Sequence, residues 1–237
     1  MMEFEFEEKN GIIYITRYKG TQNAVVIPYE IDGIYRKVVI AADAFKDCNI
    51  KEITIHDGFR LRDIDFLDFC DDLERINVNH YGVRDYTPYK DIDGVLYTDE
   101  WQRWSPDSSP GWSPESLKWL TGGDRTSLQR GLTLVWFPQG RRGSYAIPEG
   151  VVDVRRFAAG TKCPSLSEIT IPASLEDIDA ILVYCDNLER INVASENPKY
   201  KDIDGVLFRK DGKRLVLFPW QSETNSYIVP DGEDLAV

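Results

Sequence analysis

The stretch DLERINV at residues 72–78 decides the fold, because its spacing of aliphatic residues, Leu-x-x-Ile-x-Val, recurs along the chain. The same pattern stands in NIKEITI at 49–55, SLSEITI at 165–171 and NLERINV at 187–193. The step from Ile55 to Val78 is nearly the same as the step from Ile171 to Val193. A fixed period of about 22–24 residues, with alternating Ile-x-Ile, predicts coils that each contribute one short strand to a parallel sheet.

Three further segments mark coils in the same phase: AVVIP at 24–28, SYAIP at 144–148 and SYIVP at 226–230. Each ends in a Pro, which cannot donate a hydrogen bond to a central ladder. Ile147 precedes Ile171 by one period, whereas the interval from Ile27 to Ile55 is slightly longer and so holds a short insertion. The sequence therefore predicts seven coils.

A longer duplication is superimposed on this period. CDDLERINV (70–78) recurs as CDNLERINV (185–193), and YKDIDGVLY (89–97) recurs as YKDIDGVLF (200–208), so the two blocks are displaced by nearly equal amounts. We therefore divide the chain into a first repeat module with an N-terminal hairpin (1–100), an insertion (101–130), and a second module with the start of a third (131–237). The sequence ends at PDGEDLAV, soon after a coil has begun, which predicts truncation or an atypical cap.

Each module is expected to carry a β-hairpin. In the second module, residues 206–208 should pair with 215–218 across a turn that contains Asp211-Gly212. The equivalent strands of the first module, at Tyr97 and Phe137, are separated by a much longer stretch, and its extra residues form the insertion. FEFEEKNGIIYITRY at 4–18 predicts another hairpin, with Asn10-Gly11 as its turn.

The composition excludes several classes of protein. The 237 residues are 42% hydrophobic and 29% charged, which is typical of a folded globular chain. With 28 Lys plus Arg against 40 Asp plus Glu, the net charge is −12, which argues against nucleic acid as a partner. No apolar run reaches the roughly 18 residues of a membrane span, and MMEFEFEEKNG lacks the basic and apolar regions of a signal peptide. We therefore expect a soluble, leaderless chain.

The coils resemble BspA-like, or Treponema-type, leucine-rich repeats, whose coil is similar to IP-x-x-V-x-x-I-x-x-x-A-F-x-x-C-x-x-L-x-x-I-x-I-P. Ala44-Phe45-x-x-Cys48 matches the AFxxC element, and residues 147–154 match the coil opening. In two coils residues 67–69 and 183–184 replace AF, and His56 stands in place of a Pro. The resemblance implies a β-rich leucine-rich-repeat solenoid with inserted β-hairpins. It also implies protein or surface binding, such as adhesion, on secreted or surface-attached bacterial proteins, without intrinsic catalysis.

The four cysteines form two pairs with equal spacing. Cys48 and Cys70 lie one period apart, as do Cys163 and Cys185, so each pair occupies equivalent places on adjacent coils. Strands about 4.8 Å apart hold parallel Cβ atoms farther apart than the ~3.8 Å that a disulfide prefers. We therefore expect stacked, buried, reduced thiols, with a disulfide as the first alternative and a metal site as the second.

No candidate for catalysis emerges from the remaining polar residues. His56 and His80 have no partner at triad or metal-ligand spacing, and we expect both on the surface. GxSxG, Walker A, GxGxxG and HExxH motifs are absent from the sequence, so we predict no enzyme activity and no cofactor. Asp91-x-Asp93-Gly94 and its copy at 202–205 resemble the start of a calcium loop, but they lack the later Glu and indicate turns in which Asp binds its own backbone.

The insertion concentrates aromatic residues. WQRWSPDSSPGWSPESLKWLTGGDRTSLQR at 101–130 holds four of the six tryptophans, and residues 113–120 read as a short helix. Trp offers a large, stiff contact area at low entropic cost, which favours a ligand-binding loop. The alternatives are that these side chains pack the loop onto the solenoid, or that the loop is disordered. The candidate ligand-binding residues are Trp101, Trp104, Trp112 and Trp119.

These observations favour a non-catalytic recognition module that binds a protein or a glycan through the solenoid surface, with the Trp-rich loop as an accessory contact. A structural protein that assembles through solenoid ends or sheet edges is the first alternative. An unrecognised hydrolase built on paired carboxylates is the second. The family resemblance points to the cell surface, whereas the N-terminal residues carry no signal peptide, so localisation stays open.

Overall fold

The computed structural model describes residues 3–28, 30–31, 34–35, 37–56, 64–80, 89–98, 131–154, 163, 165–178 and 185–222. Within these ranges the regular structure is almost entirely β. A short 3₁₀ helix covers Asp65–Phe69. The strands are β1 (Phe4–Lys9), β2 (Ile12–Tyr18), β3 (Ala24–Val26), β4 (Glu30–Ile31), β5 (Ile34–Tyr35), β6 (Lys37–Ile40), β7 (Glu52–His56), β8 (Arg75–Asn79), β9 (Tyr89–Ile92), β10 (Val95–Thr98), β11 (Leu132–Trp136), β12 (Gly143–Ala146), β13 (Val151–Val154), β14 (Leu166–Ile171), β15 (Arg190–Val193), β16 (Tyr200–Ile203), β17 (Val206–Arg209) and β18 (Leu215–Leu217).

The repeat strands form two parallel three-stranded sheets, one in each copy. The first sheet has the order β3-β7-β8 and the second the order β12-β14-β15. These six strands are the predicted strands of six coils, so the solenoid of short parallel strands is confirmed. The strand predicted for the seventh coil, in SYIVP, lies outside the described residues.

The aliphatic residues of the repeat stack from coil to coil. Val25, Ile53 and Ile76 are paired in register in the first sheet, and all three are buried. Tyr145, Ile169 and Ile191 occupy the same places in the second sheet. Because side chains alternate along a strand, stacking these residues inward places the polar residues between them on the opposite side of the sheet.

Hairpins are inserted between the coils as predicted. β1 and β2 pair antiparallel around Asn10 and Gly11, which both have positive φ. β10 pairs antiparallel with β9 and with β11, and β17 pairs antiparallel with β16 and with β18. The insertion connects the end of β10 to the start of β11. These two strand ends are adjacent, because Thr98 lies in register with Thr133.

The hairpin β10–β11 supplies side chains to two hydrophobic clusters. Leu96 and Val135 belong to the cluster of the first module. Val95, Tyr97 and Leu134 belong to the cluster of the second module. The hairpin is buried on both faces and therefore joins the cores of the two copies.

An aromatic stack runs along the first module. The ring of Phe45 lies 5.6 Å from that of Tyr18 and 5.5 Å from that of Phe66. Phe66 and Leu67 are buried, whereas Phe69 is 41% exposed. Counted back from the cysteine of each coil, Phe66-Leu67 occupies the place of Ala44-Phe45. The sequence comparison placed this pair one residue later, at 67–69.

Two expectations about single residues are wrong. Cys163 and Cys185 form a disulfide, with a Cα separation of 4.6 Å that lies within the range such bridges require. Cys48 and Cys70 are free thiols, as expected, but only Cys70 is buried and Cys48 is half-buried. His56 is buried rather than exposed, and it extends β7 by one residue in register with Asn79.

Candidate interaction surface

The first sheet presents four polar residues on its outward side. Ile53 and Ile55 of β7 point into the core, so Glu52 and Thr54 lie on the opposite face. The register places Arg75 of β8 beside Glu52 and Asn77 beside Thr54. We call Glu52, Thr54, Arg75 and Asn77 the first tetrad.

The second sheet presents the same four residue types in the same arrangement. Glu168 of β14 lies in register with Arg190 of β15, and Thr170 lies in register with Asn192. These residues are the second tetrad. An apolar residue borders each tetrad, since Val26 of β3 is in register with Thr54 and Ala146 of β12 is in register with Thr170. Val26 is 58% exposed.

Hydrogen bonds hold the amide of each tetrad in place. Asn77 Nδ2 donates to the carboxylate of Glu52 and lies 3.4 Å from Thr54 Oγ1. Asn192 Nδ2 donates to the carboxylate of Glu168 in the same way. Side chains that are already ordered lose less conformational entropy when a ligand binds. The two tetrads are therefore pre-arranged polar surfaces rather than loose surface chains.

The hairpin turns close one edge of each tetrad. Ile76 N donates to Gly94 O at 2.9 Å, and Ile191 N donates to Gly205 O at 2.9 Å. The Asp-x-Asp-Gly segments therefore form turns, as predicted. The first Asp of each binds the neighbouring strand rather than its own backbone, since Val78 N donates to Asp91 Oδ1 at 2.8 Å and Val193 N donates to Asp202 Oδ1 at 2.9 Å.

An arginine from the next coil binds the turn of the first module. The Arg141 guanidinium donates to the carboxylate and to the main-chain oxygen of Asp93. It also lies 4.7 Å from the ring centre of Tyr145, at cation–π distance. Arg75 Nη1 approaches the same carboxylate at 3.6 Å. Asp93 is therefore shared by an arginine of the first tetrad and by Arg141.

Two buried tyrosines lie beneath this arginine. The hydroxyls of Tyr97 and Tyr145 share a hydrogen bond. Burial raises the pKa of Tyr145 to about 12 and raises the pKa of Tyr97 further. Both hydroxyls are neutral at physiological pH, and their hydrogen bond links β10 to β12.

Trp101, Trp104, Trp112 and Trp119 lie outside the described residues. The described part instead shows an exposed tryptophan that sequence reasoning did not single out, Trp220, with 71% of its surface accessible. Comparing the copies could have found it, because FPQGR at 137–141 aligns with FPWQS at 218–222 and replaces Gln139 by Trp220.

Comparison with solved structures found several bacterial leucine-rich repeat proteins. A leucine-rich repeat protein from Eubacterium ventriosum ATCC 27560 is 13% identical, with 94% of this chain and 50% of that chain covered and a TM-score of 0.38. The T. pallidum leucine-rich repeat protein TpLRR is 17% identical, with 80% and 78% covered and a TM-score of 0.36. A leucine-rich cell surface protein from Faecalibacterium prausnitzii A2-165 is 18% identical, with 98% and 64% covered and a TM-score of 0.37. The chain thus spans about half of the Eubacterium protein.

No curated protein matches the chain. Among the residues that the structure describes, no helix combines the length and the apolar character needed to cross a membrane. The family profile described as BspA type leucine-rich repeat region matches residues 25–87 and 144–214 in six copies, which together exceed half of the chain. Proteins of this kind are generally repeat-based interaction modules. The chain belongs to the family of BspA-type leucine-rich repeat proteins.

Proposed function

We propose that this chain is a non-catalytic recognition module that binds a protein or a glycan through the outward faces of its two parallel sheets. The observation that carries this proposal is that each parallel sheet presents a hydrogen-bonded set of Glu, Thr, Arg and Asn on its outward face. A surface that mixes a guanidinium, an amide, a carboxylate and a neighbouring apolar side chain provides both donors and acceptors for a ligand.

The Trp-rich segment 101–130 serves as the accessory contact. Its position supports this role, because the insertion connects the adjacent strand ends at Thr98 and Thr133. In the sequence it follows the first tetrad-bearing sheet and precedes the second. Trp101, Trp104, Trp112 and Trp119 would provide flat apolar surfaces for stacking on sugar rings or peptide side chains.

We place the module outside the bacterial cell, at the cell surface. The family resemblance supports this, and so does the disulfide between Cys163 and Cys185, because such bridges persist in oxidising compartments. Fractionation of the native organism, followed by detection of the chain with an antibody on intact cells, tests the placement.

The binding test uses one variant of each tetrad. Labelled protein is applied to a glycan array and to an array of purified extracellular proteins. Thr54→Arg and Thr170→Arg each place a long charged side chain in the middle of a tetrad, so each should reduce retention of a ligand at least ~10-fold. Asp186→Arg is the matched control, because Asp186 is exposed in a turn before β15.

The outcomes separate the two contact surfaces. Loss of binding in the two Thr variants, with retention in Asp186→Arg, would support the sheet faces. Loss only after removal of residues 101–130 would assign binding to the Trp-rich segment. Retention of every ligand in all of these variants would overturn the proposal.

A second candidate, end-to-end assembly, is favoured by one observation. β11 pairs with β10 on one side and with β13 on the other, whereas its equivalent β18 pairs in the described part of the chain only with β17. An edge of this kind can accept a strand from another molecule. A molar mass by light scattering that rises with concentration would support assembly, and a constant monomer mass would exclude it.

A further inference from the structure

The two copies have matching backbone hydrogen bonds in the segments that lie beside their Asp-Gly turns. Gly140 N donates to Leu73 O at 2.8 Å, and Gln221 N donates to Leu188 O at 3.0 Å. In the next residue the match continues, since Arg141 N lies 3.2 Å from Pro138 O and Ser222 N lies 3.2 Å from Pro219 O. Ser222 therefore stands in the second copy where Arg141 stands in the first.

In the first copy, this segment places the Arg141 side chain against the Asp93 turn. The Arg141 side chain is only 15% exposed, because its guanidinium lies against the Asp93 turn and the Tyr145 ring. Two acceptors of one residue, the carboxylate and the main-chain oxygen, receive two nitrogens of one guanidinium. A planar fork of donors fits this pair of acceptors, whereas the single ammonium of Lys does not.

The second copy keeps the acceptors and lacks the arginine. Asp204 and Gly205 have φ of 53° and 85°, against 51° and 76° for Asp93 and Gly94, and both turns close hairpins of the same register, so the two turns match. Asp204 is exposed and makes no ion pair with any described residue. Trp220, 71% exposed, lies in the same tight turn as Ser222 and replaces the buried Gln139 of the first copy.

We propose that the Asp204 turn and Trp220 form a binding site for an arginine side chain of a partner protein. The internal contact of Arg141 in the first copy is then an occupied example of the site that the second copy offers to a partner. Trp220 lies two residues before Ser222, the counterpart of Arg141, and would offer an exposed aromatic face to the guanidinium, because guanidinium groups stack on indole rings. The net charge of −12 attracts a basic partner. This inference rests on the proposed recognition function and names the chemical group recognised.

The test is a titration of the ¹⁵N-labelled full chain, followed by NMR, with the peptide acetyl-Gly-Arg-Gly-amide. The amide of Gly205 and the indole N–H of Trp220 should shift saturably, and the matched Lys peptide should bind at least ~5-fold more weakly. Asp204→Asn removes the charge and keeps the turn, because Asn-Gly suits the two positive-φ positions. We expect at least a ~10-fold loss of affinity in this variant.

The duplication provides matched controls. Asp93→Asn makes the same change in the first copy and should leave the Gly205 response unchanged. Ser222→Arg should supply the internal arginine and abolish peptide binding, whereas Arg141→Ser should add a second saturable response at Gly94. The one-dimensional spectrum of each variant reports whether it is folded.

Three results would overturn the inference: a Gly205 response that does not saturate, equal binding of the Lys peptide, or equal affinity in Asp204→Asn and Ser222→Arg to that of the parent chain. Its failure can be distinguished from failure of the proposed function. A chain that keeps its array ligands, and loses them in the Thr54→Arg and Thr170→Arg variants, would still be a recognition module that does not use this arginine site.

Discussion

At the scale of single residues, buried polar groups decide where the chain turns. Asn197 is fully buried, and its side chain makes four hydrogen bonds. Nδ2 donates to Pro172 O at 2.8 Å and to Leu175 O at 2.9 Å, while Oδ1 accepts from Lys199 N at 3.0 Å and from Tyr200 N at 2.9 Å. One amide therefore satisfies the backbone of two adjacent coils.

We predict that Asn197→Ala lowers the free energy of unfolding by about 2–4 kcal/mol, because it leaves buried backbone groups without partners. Urea denaturation monitored by circular dichroism measures this change. Asn23→Ala is the matched control, since the Asn23 side chain is exposed, and it should change the stability by less than about 0.5 kcal/mol. Equal effects of the two substitutions would contradict the account.

Buried titratable groups predict a loss of stability at alkaline pH. Burial raises the pKa of the Cys70 thiol to about 12 and that of the Tyr145 hydroxyl to about 12, and it raises the pKa of Tyr97 as well. An unfolded thiol ionises near about pH 8.5 and an unfolded phenol near about pH 10. Because the folded state holds these protons more tightly, their contribution is complete below these values and is lost as the pH rises toward about 12.

We therefore expect the urea midpoint to fall between about pH 8 and about pH 11. A Tyr97→Phe, Tyr145→Phe double variant should show a shallower fall than the wild-type chain, because Phe does not titrate. An identical pH dependence in the two proteins would show that the tyrosine pair does not contribute.

Alkylation of the cysteines tests directly which thiols are buried and which are bridged. Cys70 is buried with its thiol protonated, and Cys163 and Cys185 are bridged. Treatment of the native protein with iodoacetamide at about pH 7.5 should leave these three residues unmodified, whereas unfolding in urea without a reductant should expose Cys48 and Cys70 only. Peptide mass spectrometry identifies the modified residues. Labelling of Cys163 or Cys185 without reduction would contradict the bridge.

At the scale of elements, the same hairpin has different surroundings in the two copies. Leu134 of β11 and Leu215 of β18 occupy equivalent places, opposite Tyr97 and Phe208. Leu134 is 4% exposed, and Leu215 is half-buried. Since β11 pairs on both sides and contacts both cores, the first hairpin is the more deeply packed of the two.

We predict that Leu134→Ala lowers the free energy of unfolding by about 2–4 kcal/mol, and that Leu215→Ala lowers it by about 1 kcal/mol. The duplicated hairpin makes each substitution the control for the other. Chemical denaturation of both variants measures the difference, and an equal or reversed order would contradict the described burial.

The sequence predicts local elements, but it does not predict the contacts between neighbouring coils. The Ile-x-Ile repeats and the Asn-Gly and Asp-Gly pairs predict the strands and hairpin turns, because these patterns act locally. The burial of His56 and the Cys163–Cys185 bridge depend on the position of a neighbouring coil, which spacing alone does not set to within an ångström. The contact of Arg141 with Asp93 joins residues that are distant in sequence, and it becomes visible only when the turns are assembled.

At the scale of the whole molecule, we expect the insertion 101–130 to be separable from the solenoid. Thr98 and Thr133 are already in register, and the equivalent strands of the second copy are joined by a short turn that contains Asp211 and Gly212. We predict that replacing residues 99–131 with Lys-Asp-Gly, taken from 210–212, leaves a cooperatively folded chain with a Tm within about 5 °C of the parent. Thermal unfolding by circular dichroism measures the Tm. Loss of the cooperative transition would show that the solenoid needs the insertion in order to fold.

In the part of the chain that the structure describes, the two copies of the tetrad-bearing sheet have their cores joined by the hairpin β10–β11. The copies differ where Arg141 is replaced by Ser222 and Gln139 by Trp220, so the first copy closes its Asp-Gly turn internally and the second leaves it exposed. Duplication followed by divergence at a few positions gives one fold two related but different outward surfaces.

Hydrogen–deuterium exchange of the chain, with and without a ligand from the arrays, shows whether the outward sheet faces bind the ligand. We predict slower exchange on binding in peptides that cover β7, β8, β14 and β15, with β1 and the 3₁₀ helix unchanged. Slower exchange confined to β1 or to the 3₁₀ helix, with the four tetrad-bearing strands unchanged, would show that the outward sheet faces do not bind the ligand.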